Sequence, residues 1–245
     1  MRPFGAQVWA ETYMTLRRGE TLLLTIGIPV VFLIFFSSVH VVATGSTAGV
    51  AFFVPGILSL AIMSTAMVAL GIATGFERGY GVLKRLGSTP LGRPRLLGAK
   101  ITTVLAVEAV QGLVLVAVGY GLGWDPGGSA GQPLAAQALG VALLATVAFA
   151  GIGLFLAGVL RAEVNLAAAN ALYLVLLLLG GMVVPVDKLP GPLQAVAKAL
   201  PAAALSDGLH AALGTGSPVP VAAWVVLVVW AVAAPTAAAL TFKWE

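Results

Sequence analysis

Residues 21–76 read TLLLTIGIPVVFLIFFSSVHVVATGSTAGVAFFVPGILSLAIMSTAMVALGIATGF, without one Asp, Glu, Lys or Arg. A helix needs roughly 20 apolar residues to cross the hydrocarbon of a bilayer, so this run is long enough for two crossings. The polar, glycine-containing ATGSTAG at 43–49 divides it into predicted spans at 21–42 and 52–75. Outward from there, further apolar runs bounded by loop residues fall at 97–121, 134–160, 166–184 and 221–242. The predicted fold is an all-α integral membrane protein, one transmembrane domain over 1–245 with six transmembrane helices.

Composition agrees. The 245 residues are 60% hydrophobic and only 9% charged, where soluble domains carry about a quarter charged residues. The mean hydropathy of +1.04 points the same way. The absence of cysteine removes disulfide frameworks and thiolate metal sites. The two histidines stand far apart and the nine acids never cluster, so no metal site, no catalytic residues and no membrane enzyme are expected. The net charge of +4 comes from basic residues scattered between apolar runs, which explains topology better than nucleic-acid binding.

Six spans put both ends on one side. Of the thirteen Lys and Arg, all but Lys188 and Lys198 fall on that side, which the positive-inside rule makes cytoplasmic. Trp9, Trp124, Trp224 and Trp244 fall at expected interfaces, and only Trp230 lies within a span. The first run exceeds the apolar segment of a secretory leader and is read as a span.

Three non-spanning segments carry more information. Residues 1–20 hold a predicted interface helix, with Trp9, Tyr13 and Leu16 at i, i+4 and i+7 and with Gln7, Glu11 and Arg18 facing elsewhere. The loop at 76–94, FERGYGVLKRLGSTPLGRP, reads as a short amphipathic helix over 76–86. Glu77, Arg78, Gly81, Lys84 and Arg85 would form one stripe and Phe76, Tyr80 and Leu83 the other. Such a helix is either a docking surface for a soluble partner or a basic loop that anchors topology. The segment 185–220 is proline-rich yet apolar, with Leu193, Val196 and Leu200 on one predicted face and Leu205, Leu209 and Leu213 on another. It reads as a re-entrant hairpin in the outer leaflet rather than a plain outer loop.

Glu108 stands near mid-span in the third run, with Gln111 a turn away. An intramembrane carboxylate marks a functional candidate. It could titrate protons, contact a cationic substrate, or form a neutral acid bonded to Gln111 or a neighbouring helix. Asn165 and Asn170 read as helix–helix hydrogen bonds.

After the second span come Glu77, Arg78, Gly79, Leu83, Leu86 and Pro90, then Gly98 and Lys100; after the fifth come Pro185, Leu189, Pro190, Leu193, Pro201, Asp207 and Gly208. In this order the chain resembles the membrane-spanning subunit of type-2 ABC exporters, the ABC-2 permease family that includes daunorubicin-resistance-type transporters. Tyr80 and Gly81 depart from that pattern where a further acid is frequent, as does His210 where an arginine is frequent. The resemblance implies a multi-pass bacterial plasma-membrane permease with cytoplasmic termini. It would work with two separate ABC ATPase subunits, which bind ATP and Mg, and with a second permease, identical or similar. The chain has no GxxxxGK[ST] of its own, since no glycine precedes a lysine. Glu77, Arg78, Gly81, Leu83, Lys84, Arg85 and Pro90 would couple to the ATPase, helped by the interface helix with Trp9, Tyr13, Leu16 and Arg17. Pro185, Pro190, Pro201, Asp207 and His210 would belong to an outer hairpin at the exit. A pathway lined by spans one, two and five, with few fixed charges, suits a lipophilic or amphipathic drug, antibiotic or lipid. The alternative from a different class is a proton-coupled secondary exporter using Glu108.

Overall fold

The computed structural model describes residues 2–17, 19–38, 49–87, 93–127, 134–182 and 185–241. Among these the secondary structure is helical, with no strand. An intact helix satisfies its own backbone groups, which lipid cannot do. Five helices are long and apolar enough to cross a membrane: Gly49–Gly79, Arg95–Gly121, Ala135–Val159, Ala162–Leu179 and Val221–Thr241. The helix of the first predicted span, α2 (Gly19–Ser38), has a shorter apolar part, Thr25–Ser38. The predicted end of that span at 39–42 and most of the following loop lie outside the described residues.

The second run forms one rod from α3 (Gly49–Met63) through a π-helical stretch, Ser64–Ala69, into α4 (Leu70–Gly79). With α7 (Ala135–Val159) it makes the core: 67% of the rod's most apolar window and 50% of α7's are buried, against 17–28% in the other three crossing helices. α11 (Val221–Thr241) lies along α7, while α6 (Arg93–Gly121) and α8 (Ala162–Leu179) turn most of their apolar surface outward. Water-driven burial cannot hold such helices together in lipid, so close backbone approach must. Gly153 provides one such approach: a Cβ there would stand 2.4 Å from the Met67 carbonyl oxygen. Gly151, two residues earlier, backs in the same way onto Pro235, inside α11.

Several expectations change. The helix expected over 76–86 is two pieces: α4 ends at Gly79, Tyr80 and Gly81 form a turn, and α5 runs Val82–Gly87. Gly81 is the cause, because its φ of +71° is a left-handed conformation closed to a continuing helix. The turn breaks the predicted apolar stripe: Leu83 is fully buried, whereas Tyr80 is 76% exposed and stacks on Phe76 at 6.0 Å.

The interface helix α1 (Arg2–Arg17) turns its polar side, Gln7, Glu11 and Thr12, toward α6, and leaves Trp9 and Tyr13 exposed. That arrangement suits a helix whose outer surroundings are lipid. Trp124 does not sit wet at an interface; it is buried against Gly119 and its indole nitrogen has no partner. Trp230, the one indole within a span, donates to the Ala199 carbonyl at 3.0 Å.

The proline-rich segment opens with a single 3-10 turn, Val186–Lys188, followed by α9 (Gly191–Lys198) and α10 (Pro201–Leu209). Neither helix is long enough to cross, α10 being about 13 Å at 1.5 Å per residue. α10 packs among α3, α7 and α11 and buries Leu205 and Leu209. Of the face expected from Leu193, Val196 and Leu200, the first two are exposed on α9, whereas Leu200, just before α10, is partly buried against the core.

Candidate functional site

Lys100, just inside α6, is only 2% exposed, and its ammonium holds two carboxylates. Nζ lies 2.6 Å from Glu77 Oε2 and 3.1 Å from Glu11 Oε1. Glu11 also accepts a hydrogen bond from Gln7 Nε2 at 3.0 Å, and the Thr12 and Thr103 hydroxyls meet at 3.4 Å. One buried cation thus joins the interface helix, the end of the second span and the start of the third. Buried charges need such pairing, since a lone ammonium costs several kcal/mol to desolvate. The same lysine lies inside the third predicted span, and that misplaced charge is the sequence signal for its importance.

Arg78, next to Glu77, reaches the opposite way. Its two terminal nitrogens donate to the carbonyls of Gly158 and Leu160, where α7 ends. The planar guanidinium fork fits two neighbouring acceptors, and its charge sits at the negative end of the helix dipole. Glu77 and Arg78 are therefore engaged within the chain, tying the end of α4 to α6 and α7. Beyond them Gly81 makes the turn, Leu83 anchors α5 inside and Lys84 is exposed. Pro90 lies outside the described residues, as do the side chains of Arg85 and Leu16. On α1, Trp9 and Tyr13 stack at 6.3 Å and Arg17 sits over the Tyr13 ring at 5.4 Å, all facing away from the Lys100 cluster.

Near the middle of the bundle, a groove of about 380 Å³ is lined by α2, by α3 with its π-helical stretch, and by α8. These helices correspond to predicted spans one, two and five. Its polar residues are Thr25, Ser64 and Thr65 of the π turn, Asn170 and Tyr173, set among aliphatic and aromatic side chains. Gln111 braces the π turn from behind. Its Oε1 accepts from Thr65 Oγ1 at 3.2 Å and its Nε2 donates to the Thr25 carbonyl at 2.7 Å. Gln111 is thus engaged elsewhere, and the partner of Glu108 is the Thr146 hydroxyl on α7. Asn165 does join two helices, donating to the Gly71 carbonyl at 2.8 Å. Asn170 instead donates to Leu166 of its own helix.

At the other end of the bundle, His210 follows α10 and begins a second π-helical turn, His210–Thr215. Its Nε2 lies 3.0 Å from the Phe52 carbonyl oxygen. Nδ1 faces Ser206, 2.7 Å from the carbonyl and 3.2 Å from the hydroxyl. The ring also packs on Phe52 at 4.6 Å. Burial pushes the imidazole below its ordinary pKa, against the opposing pull of the Ser206 and Phe52 hydrogen bonds and of Asp207. Pro201 is buried at the first position of α10, where its missing N–H costs nothing. Pro185 is partly buried, and Pro190 and Asp207 are exposed. No group of three or more His, Asp or Glu that could hold a metal occurs among the described residues.

Residues 3–213 match the family model described as ABC-2 type transporter. No curated protein matches the chain.

Proposed function

Because the chain belongs to the ABC-2 type transporter family, and so is the transmembrane permease component of an ABC transporter, we propose that it exports a lipophilic or amphipathic molecule under the drive of separate ABC ATPase subunits. Two ATPases, holding ATP and Mg, would serve a pair of permeases formed with a second copy or a paralogue. The host membrane is a bacterial plasma membrane, and both termini are cytoplasmic, as the bias of Lys and Arg suggests.

The observation that carries this reading is the Lys100 cluster beside the Arg78 clamp. A partner that grips the turn at Tyr80–Gly81 and α5 moves the end of α4. Glu77 passes that motion through Lys100 to α1 and α6, and Arg78 passes it to α7. Nucleotide-driven closure of the ATPases would then bias a rigid-body switch between two packings of the bundle. Across a two-fold axis the groove between α2, the π turn and α8 would meet its copy and form a largely apolar path suited to a lipophilic or amphipathic molecule. The hairpin with His210 would close the far end of that path.

The test is a pull-down of the tagged chain from its native membranes, followed by reconstitution. An ABC ATPase should come down in near-equal amount, and ATP hydrolysis should rise when a lipophilic substrate is added. A chain that emerges alone, and moves substrate without ATP, overturns the assignment.

A further inference from the structure

A second cavity, of about 500 Å³, lies on the other face of the bundle, between α3, α6, α7 and the π turn after α10. None of its lining comes from α2 or α8, so it is separate from the groove assigned to transport. Its walls are almost wholly aliphatic. Leu113, Leu139 and Leu143 at its rim are exposed, the first at 71%, and on a membrane-spanning bundle such leucines face hydrocarbon. A molecule arriving here comes sideways from the lipid.

One acid interrupts this apolar wall. Glu108 projects into the cavity from α6 with too few hydrogen-bond donors. Its Oε1 is buried and has no partner. Its Oε2 takes the Thr146 hydroxyl, but that hydroxyl has one hydrogen and lies also within 2.9 Å of the Ala142 carbonyl. A buried acceptor left in this condition is costly, and so is a carboxyl group kept at mid-membrane with one shared hydroxyl as its donor. Gln111, the nearest amide, is committed to Thr65 and to the Thr25 carbonyl.

We propose that this cavity is a binding site for a lipophilic amine, whose alkyl body lies among Leu113, Leu139 and Leu143 and whose ammonium donates to Glu108 Oε1. An ammonium brings both what the site lacks, N–H donors at the free oxygen, and the charge that complements a carboxylate. An alkyl chain without a donor at its head would fill the walls and leave Oε1 as it is. The inference does not rest on the coupling reading, since binding here needs neither ATP nor an ATPase.

The test uses the full-length chain in phosphatidylcholine nanodiscs, with radiolabelled dodecylamine and dodecanol as probes and empty nanodiscs as the blank. Above the blank, wild type should bind the amine about tenfold more tightly than the alcohol, whose hydroxyl can donate one hydrogen bond to Oε1 but brings no charge. Glu108→Gln keeps the shape and should bring the two probes to similar affinity. Ala109→Trp, at an exposed position on the cavity lining, should lose both. Equal binding of amine and alcohol by wild type overturns the proposal without recourse to any variant. So does uptake no greater than that of empty nanodiscs, an amine preference that survives Glu108→Gln, or binding untouched by Ala109→Trp.

Discussion

Glu77 and Arg78 are adjacent in the chain and anchored on different parts of the bundle. The carboxylate of Glu77 lies 2.6 Å from Lys100 Nζ on α6, and the guanidinium of Arg78 sits on the carbonyls of Gly158 and Leu160 at the end of α7. Any displacement of the following turn therefore bears on α6 and α7 together.

Replacing Lys100 with Met should be the most damaging single change at this end of the molecule. It removes the ammonium that Glu11 and Glu77 share. Removing one partner of a buried pair costs about 3–5 kcal/mol, and the partial exposure of both acids places this case near the lower end. Thermal unfolding in detergent should show the loss, and adding Glu11→Gln and Glu77→Gln should restore part of it. If the triple variant melts no higher than Lys100→Met, the ion pairs do not hold α1 to the bundle.

Arg78→Lys tests geometry at constant charge. An ammonium on a flexible stem cannot present two fixed parallel donors to Gly158 and Leu160, so coupling should fall although the charge remains. The expected loss of stability is about 1.5–3 kcal/mol, one hydrogen bond to a charged group. ATP turnover by the complex should persist while substrate moved per ATP declines. A variant with wild-type stoichiometry would show that the clamp on α7 does not transmit force.

How far the sequence reveals this arrangement depends on which force is at work. Apolar runs are legible because hydrocarbon imposes length and composition locally, so each of the five crossing helices overlaps a predicted one. The break at Gly81 escapes periodicity because counting i+4 and i+7 positions assumes a continuous helix, and one left-handed glycine rephases everything after it. The partners of Lys100 are equally hidden: Glu77 lies 23 residues away and Glu11 farther still, and nothing local relates them. Residue type alone predicts a wet indole N–H at Trp124, whereas tertiary packing buries the ring against Gly119. The π-helical stretch at Ser64–Ala69 has no composition of its own; its bracing by Gln111 exists only once α6 packs on it.

Gly153→Val should test the close approach in the core. A Cβ at this position would stand 2.4 Å from the Met67 carbonyl oxygen, and backbone cannot step aside as a side-chain end can. Overpacking of this kind costs about 1–3 kcal/mol. Gly112→Ala, on α6, meets nothing within 4 Å and should be neutral or stabilising by up to about 1 kcal/mol through helix propensity. Comparable melting temperatures for the two variants would mean that the Met67–Gly153 contact does not limit packing.

His210 should make the hairpin end sensitive to acid. Burial disfavours its imidazolium in the folded chain, whereas in the unfolded chain it titrates near its ordinary value of 6.5. Below that pH the unfolded state binds the extra proton, so stability is full above about pH 6.5 and declines as pH falls, by at most about 1.4 kcal/mol per unit. Asp207 on α10 favours the imidazolium and weakens the effect without reversing it. His210→Gln can still offer an N–H toward the Phe52 carbonyl and has no proton to gain, so its melting temperature should lose this pH dependence between 7 and 5. Parallel wild-type and variant profiles over that range would assign the acid sensitivity to other groups.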